Sequence, residues 1–412
     1  MPKFKPQWIL FSLLTLFLFF MPLYEAPKNV FSVLYVVYGG FVGLQGKSLP
    51  IFYREVSLSS WLFALLAISP FVAGINSPYA ELGERFASAL NWSLMPLVAL
   101  VFLLSNFSRD QILWVLRVLC VGTVIAVVQA FYDWAGSYPE LNSVGHVNQS
   151  ALYLSFSLIP AGLLALYRQH WADLILVGAA LLAVGWYQGP AKSMIGFGAS
   201  GLVIAGFWVI YCINRSHIKT LAASVVLGAV VVGAAINMPA SSFGPYQGFK
   251  QEFDVRLSSQ SDRYSQRDRL VNSALEVAGD SLTGFGLGSF GEATQLQNIR
   301  SAVEARGGDW ASERGNFFSS SHGHNIFANV LVERGWIGVI AITIFLLAML
   351  FVFLKYLKAE SSQAGVLTVL VISLAGLGQS TLHVEHGQLA LICSALCLKF
   401  MLMDQVSRPK ST

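Results

Sequence analysis

The chain has 412 residues, of which 55% are hydrophobic and only 12% charged; soluble domains typically carry about 25% charged residues. That composition excludes an ordinary soluble enzyme, and a net charge of +4 is too small a bias for a nucleic-acid binder; what remains is an integral membrane protein. Cys120, Cys212, Cys393 and Cys397 all fall inside apolar runs, so neither a loop disulfide framework nor a thiolate zinc motif is present in the pattern.

The opening "MPKFKPQWILFSLLTLFLFFMPLY" is basic and then apolar, like a signal peptide. Its apolar run is too long for such a peptide and lacks a small-residue cleavage site, so a retained first span is expected. A helix needs roughly 20 apolar residues to cross a bilayer. By that rule twelve spans are predicted: 8–25, 29–45, 58–75, 88–106, 111–132, 148–167, 171–187, 193–213, 218–237, 336–354, 363–381 and 387–403. The second and seventh are the shortest. No tandem repeat or low-complexity tract interrupts them.

The distribution of cations orients the set. With both termini cytoplasmic, the inner segments hold Lys3, Lys5, Lys47, Arg54, Arg109, Arg168, Arg215, Lys219, Lys355, Lys358, Arg408 and Lys410, while the short outer loops hold Lys28, Arg85 and Lys192. Twelve against three satisfies the positive-inside rule. From about Met238 to Ser321 the chain turns polar, with eight Lys/Arg and ten Asp/Glu. Long loops translocate regardless of charge, so this one is placed outside. The expected fold is therefore an all-α membrane protein: spans one to nine in residues 1–237, one large loop in 238–323, and a helical extension with spans ten to twelve in 324–412. The loop itself is expected to be partly helical. In "SDRYSQRDRLVNSALEVAG", Leu270, Val271, Ala274, Leu275 and Ala278 recur at helical spacing.

Polar side chains gather on the outer side. His146, His322, His324, His383 and His386 map there, and only His170 and His217 face the cytoplasm. In "SSSHGHNIFANVLVERGWIGV" (319–339) the apolar run from Trp336 is already long enough to span, so 324–335 is read as a helical extension at the interface. This keeps Glu333 and Arg334 out of deep lipid. Ser320 or Ser321 would cap that helix and set His324 in its first turn, where the helix dipole disfavours a second positive charge. A neutral imidazole is what a general base requires. A histidine that only meets headgroups fits the same spacing.

Within the loop, helical spacing sets Arg263 and Arg267 on one face with Arg269 beside them. Such a cluster suits a diphosphate held by paired hydrogen bonds, or it is a solvated face paired with Asp262 and Asp268. "TGFGLGSF" places Gly284, Gly286 and Gly288 outside any βαβ unit, so a dinucleotide loop is set aside; alternate glycines permit a close backbone approach or a tight turn, and the turn is the favoured reading. "GHVNQS" with Asn148, and "GPAKS" with Lys192, are helix starts that also read as interfacial anchors. His383, Glu385 and His386 in "TLHVEHG" could join His322 and His324 around a metal; the spacing dictates no coordination geometry and no cysteine supports it, so no metal is assigned.

The run "HNIFANVLVERGWIG" reads His324-Asn325, nine residues, Gly335, two residues, Gly338. It resembles the signature of the bacterial O-antigen ligase family, part of the O-antigen ligase/polymerase superfamily. The span number, the single large late loop, an arginine followed by a Gly-x-Gly turn, and the Asn148-Gln149 pair before a span are similar too. The resemblance covers the chain from about residue 140 onward. It implies transfer of a glycan from undecaprenyl diphosphate to a sugar hydroxyl of lipid A-core, at the periplasmic face of the bacterial inner membrane. It implies no cofactor and no metal, and partners limited to that donor, that acceptor and membrane lipids. His324 would activate the acceptor hydroxyl, with His322 or Asn325 beside it, and Arg267, or Arg269, would hold the diphosphate near Gly284 and Gly286. Where the family carries an arginine before the eighth span, this chain has Lys192, which keeps the charge and loses the bidentate fork.

Two neighbouring activities share these features. A polymerase of the superfamily usually has two sizeable outer loops, and an O-oligosaccharyltransferase often extends past the last span; this chain has one loop and ends soon after Met403. A transporter of a lipid-linked solute, from a different class, would place ionisable groups near the midplane of several spans. Here the spans are almost free of charge and the polar residues collect on one side.

Overall fold

The computed structural model describes residues 6–44, 54–73, 82–135, 138–237, 247, 250–251, 262–382 and 384–406. Among these there are sixteen α-helices and no strand; one isolated bridge joins Leu141 and Gly145. In chain order they are α1 (Pro6–Phe20), α2 (Glu25–Leu44), α3 (Arg54–Ile68), α4 (Leu82–Leu104), α5 (Arg109–Tyr132), α6 (Val147–Tyr167), α7 (Trp171–Ala191), α8 (Met194–Asn214), α9 (Ile218–Asn237), α10 (Asp262–Ala278), α11 (Phe290–Ala293), α12 (Leu296–Ala305), α13 (Trp310–Glu313), α14 (Ile326–Lys355), α15 (Glu360–Gly376) and α16 (Val384–Val406).

Each of the twelve predicted spans overlaps a helix. Seven helices are long and apolar enough to cross a membrane: those at 86–104, 109–132, 147–167, 171–191, 194–214, 326–355 and 385–405. The protein is thus a multi-pass membrane protein. The seventh predicted span, short in sequence, extends to 21 residues and belongs to this set. α1 and α15, at 15 and 17 residues, are apolar but shorter: they end at Phe20 and Gly376, each five residues before the predicted span does.

The centre of the bundle is set by burial. In α6 and α16 respectively 78% and 83% of the apolar window lies inside the protein, against 39% in α7 and in α8. α6 packs on α5, α7, α8 and α16, and α16 also meets α4 and α15. α7 turns Leu182 and Trp186 outward, as a helix facing acyl chains should. Side-chain ties fasten the ends of the bundle. Arg117 on α5 grips Asp173 of α7 through Nε and Nη2, at 2.7 and 3.1 Å. Buried Lys28 on α2 pairs with Glu385 on α16.

The polar loop folds onto α14. Leu270, Ala274 and Ala278 of α10 pack with Phe290, Ala293, Ala328, Leu331 and Val332, so the apolar stripe read from the sequence is the face that docks. A smaller cluster of Ile299, Val303 and Phe317 sits beyond it, covered by Arg306 in ion pairs with Glu276 and Glu313. Ser273 Oγ on α10 donates to Phe318 O at 2.9 Å and accepts from Phe318 N at 3.0 Å, which clips the loop's return segment to the helix.

α14 differs from the expected straight extension. Gly335 has φ +62° and ψ −162°, which breaks the helix into 326–334 and 336–355. In an unbroken helix Trp336 N and Ile337 N would donate to Val332 O and Glu333 O. Instead Trp336 N donates to Ser281 O and Ile337 N to Leu282 O, both at 3.1 Å. Val332 O and Glu333 O accept from Phe285 N at 2.8 Å and Gly286 N at 2.9 Å. The loop strap 281–286 has inserted into the break, and every freed backbone group has a partner. Such closeness requires two glycines. A Cβ on Gly335 would stand 2.4 Å from Leu282 C and O, and one on Gly284 (φ +67°) 2.5 Å from Arg334 N, Glu333 C and Gly335 N. The close-approach reading of the Gly-x-Gly turn is what these contacts describe.

A left-handed backbone costs an L-residue about 1–2 kcal/mol, before any overlap. We therefore expect Gly335→Ala and Gly284→Ala each to destabilise the protein by roughly 2 kcal/mol or more, read as a lower unfolding midpoint in detergent. Because both fill one gap, the double variant should lose less than the sum of the two.

Candidate functional site

The cap of α14 builds one wall of a cleft. Asn325, in extended backbone (φ −153°), caps the helix: its Oδ1 accepts from Phe327 N at 2.9 Å and Ala328 N at 3.1 Å. The expected cap at Ser320 or Ser321 is therefore wrong by four or five residues. An asparagine amide reaches the N2 and N3 donors of the helix that begins at Ile326, and the serines are too far upstream. His324 accordingly precedes the helix rather than standing in its first turn, and the dipole argument for it does not apply. Its own backbone is left-handed, φ +45°.

His146, Asn148, Lys192, Arg267 and His324 line a single cleft of about 330 Å³. Four chain regions meet there. The start of α6 brings His146 and Asn148, the α7–α8 junction Lys192, α10 Gln266 and Arg267, and the segment before α14 Ser320 and His324; Tyr138, Phe318 and Leu270 complete the wall. Among these lining residues none is acidic. Two cations lining one cleft can meet the charge of an anion.

Each side chain is placed by local structure. Lys192 ends α7 in the left-handed region (φ +52°), with its N–H on Gly189 O at 3.2 Å, and Ser193 then caps α8. Its ammonium lies 5.6 Å from the centre of the Tyr138 ring, within cation–π range. Leu141 N and Gly145 O both bond Ser150 Oγ, at 3.0 and 2.7 Å, and Tyr187 Oη donates to Pro139 O at 2.6 Å. These bonds hold the 138–146 loop against α6 and α7. His146 caps α6, its Nδ1 accepting from Asn148 N at 3.2 Å. Among the described residues only Lys192, Ser216 and His324 are non-glycines with positive φ. Two of the three line the cleft, and backbone strain of this kind collects at functional sites.

Of the residues singled out in sequence, Arg267, Lys192, Asn148 and His324 are brought together. Asn325 is engaged in the cap and in a 3.3 Å bond from Nδ2 to Leu377 O. Gly284 and Gly286 stand at the helix break, outside the lining. Arg269 is on α10 but not among the lining residues, and the Arg263 side chain lies outside the described residues. His322 sits beside the cleft. Burial first, then the nearness of His324 and His146, pushes its imidazole pKa down. Among the described residues no group of three metal-ligand side chains forms. Glu385 pairs with Lys28 and His386 bonds Ser380 O; His383 lies outside the described residues.

Two participants were not visible as such in the sequence. Gln379 Oε1 stands 2.8 Å from His324 Nδ1, and His146 lines the cleft opposite. Polar "GQS" at the end of the eleventh predicted span was the available sign. The chain matches no protein-family model and no curated protein.

An NMR titration of His322 should show a midpoint below the ordinary value of 6.5. Removing the neighbouring ring in His324→Ala should move it upward. Since the folded state disfavours protonated His322, its contribution to stability is present above about pH 6.5 and declines as the pH falls through the lowered value.

Proposed function

We propose that the protein is a glycosyltransferase of the O-antigen ligase type, moving a glycan from undecaprenyl diphosphate to a hydroxyl of lipid A-core at the outer face of the bacterial inner membrane. The convergence of His324, Arg267 and Lys192 in one cleft carries the reading. An anionic diphosphate needs fixed cations where its charge develops. A sugar hydroxyl needs a base.

In this reading Arg267 and Lys192 hold the diphosphate, and Asn148 and Gln266 take polar groups of the glycan. The acceptor oxygen attacks the anomeric carbon while its proton passes to His324. The bond from that carbon to the diphosphate oxygen breaks, and undecaprenyl diphosphate leaves with the electron pair. One displacement inverts the anomeric centre. The twelve predicted spans, with both termini cytoplasmic, put the cleft on the periplasmic side, beside a leaflet that presents both lipid-linked substrates.

The test is a reconstituted transfer assay with chelator, a lipid-diphosphate-linked glycan and a lipid A-core acceptor. Wild type should transfer with inversion, and His324→Ala should lose activity by ~10²–10⁴-fold, the usual worth of general-base help, while staying folded in the membrane. Arg267→Ala should impair donor use more than acceptor use. Longer chains on the carrier lipid instead of transfer would make the protein a polymerase. A product with retained configuration would overturn the single displacement.

A further inference from the structure

The turn between α15 and α16 lies under the cleft and touches most of its working parts. Leu377 O accepts from Asn325 Nδ2, so the turn is tied to the α14 cap. A Cβ on Gly378 would stand 3.0 Å from Ile195 Cδ1 and 3.4 Å from Arg267 Nη1; here the backbone passes directly beneath the arginine. Gln379, 5% exposed, presents Oε1 to His324 Nδ1 at 2.8 Å. Ser380 O accepts from Nε2 of His386, a ring only 1% exposed, at 2.7 Å. Thr381 Oγ1 closes the turn onto Ile372 O at 2.9 Å.

An amide oxygen only accepts hydrogen bonds. Facing Gln379 Oε1, His324 Nδ1 must therefore carry the ring proton, which leaves Nε2 with its lone pair free. The same logic places a proton on His386 Nε2, because a carbonyl oxygen also only accepts. The bonds at Leu377 and Ser380 hold the backbone on both sides of Gln379, so the point from which its side chain reaches His324 is fixed.

We propose that Gln379 is a positioning residue that sets the tautomer of His324, making Nε2 the atom that takes the acceptor proton, and that His386 holds the turn presenting it. This rests on the glycosyltransferase reading for its consequence, though not for its geometry. Neither residue touches substrate. Gln379 acts through the His324 ring, as second partners orient and bias an imidazole elsewhere. It also links the two halves of the site: one turn meets the base through Gln379 and the diphosphate-binding arginine through Gly378.

Two measurements on the full chain in nanodiscs test the proposal. The first is the ¹⁵N spectrum of labelled histidine, with the His324 signals identified by their loss in His324→Ala. Protonated Nδ1 and unprotonated Nε2 are expected. The opposite tautomer, which would follow if the Gln379 amide presented its nitrogen, overturns the proposal whether or not any transfer activity is found. The second measurement is the pH profile of transfer. Gln379→Glu keeps an acceptor at Nδ1 and adds a negative charge that favours the protonated ring. The acid limb should therefore move to higher pH by about one unit or more. His146, His322, Lys192 and Arg267 are the other charged or titratable groups near the ring, and they are unchanged in this variant. Gln379→Leu should lower kcat by at least about tenfold while the donor KM stays within about twofold. His386→Leu should show the same pattern, and His386→Gln, which can still donate to Ser380 O, should recover most of the rate. An acid limb unmoved in Gln379→Glu, or equal rates for the two His386 variants, would overturn the positioning role. Full transfer by His324→Ala would instead refute the functional reading and leave the tautomer result standing.

Discussion

The exchange of backbone hydrogen bonds at Gly335 is the constraint on which the cleft-bearing part of the molecule depends. A helix broken near a membrane surface exposes two donors and two acceptors that lipid cannot satisfy. The 281–286 strap supplies all four partners, and Glu333 Oε1 accepts a further bond from Gly288 N at 3.0 Å. The break and the strap are therefore one feature. Neither could persist without the other, because each leaves buried backbone groups that only the other completes.

Consequences run outward from this joint. The strap follows α10 directly, with Gly279 N on Leu275 O at 2.8 Å and Trp336 Nε1 on Gly279 O at 2.7 Å. Fixing the strap thus fixes the C-terminal end of α10 against α14. The apolar contacts of Leu270, Ala274 and Ala278 then set the rotation of α10, and that rotation decides which of its arginines reaches the cleft. Arg267 shares a face with Leu270 and lines it; Arg269, two residues on, does not. His324 is positioned from the other end of the same short helix, by the Asn325 cap and the α15–α16 turn. A broken helix with a docked strap holds a cation on α10 and a histidine before α14 in register.

The cleft's second wall obeys a different economy. Lys192 sits in a left-handed backbone at the α7–α8 junction, between Ala191, the last residue of α7, and a serine cap. Gln188 on α7 bonds Ala151 O and Ser200 Oγ, each at 3.1 Å, and Ser155 joins them. Such buried polar contacts between helices are among the adhesives available where lipid provides no hydrophobic drive. They hold α6, α7 and α8 closely enough for Asn148 and Lys192 to open onto one space.

Much of this was legible in the amino-acid pattern because it rests on local rules. Runs of about 20 apolar residues become helices whatever surrounds them, so all twelve predicted spans coincide with helices, and the stripe on α10 marked its buried face. The polar stretch around His324 was conspicuous because polar residues beside a span are costly unless they have partners. The cap at Asn325 is local, made to Phe327 N and Ala328 N; the strap in the helix break and the pairing of Gln379 with His324 were decided by tertiary structure alone. Each joins residues separated along the chain, 45 or more positions apart for the strap and for Gln379. Spacing within one helix carries no information about what a distant turn will present to it. Sequence determined which segments are apolar helices and which side chains were too polar to be idle. The fold determined their partners, because partnership depends on backbone approach, and at this joint that approach is permitted by two facing glycines.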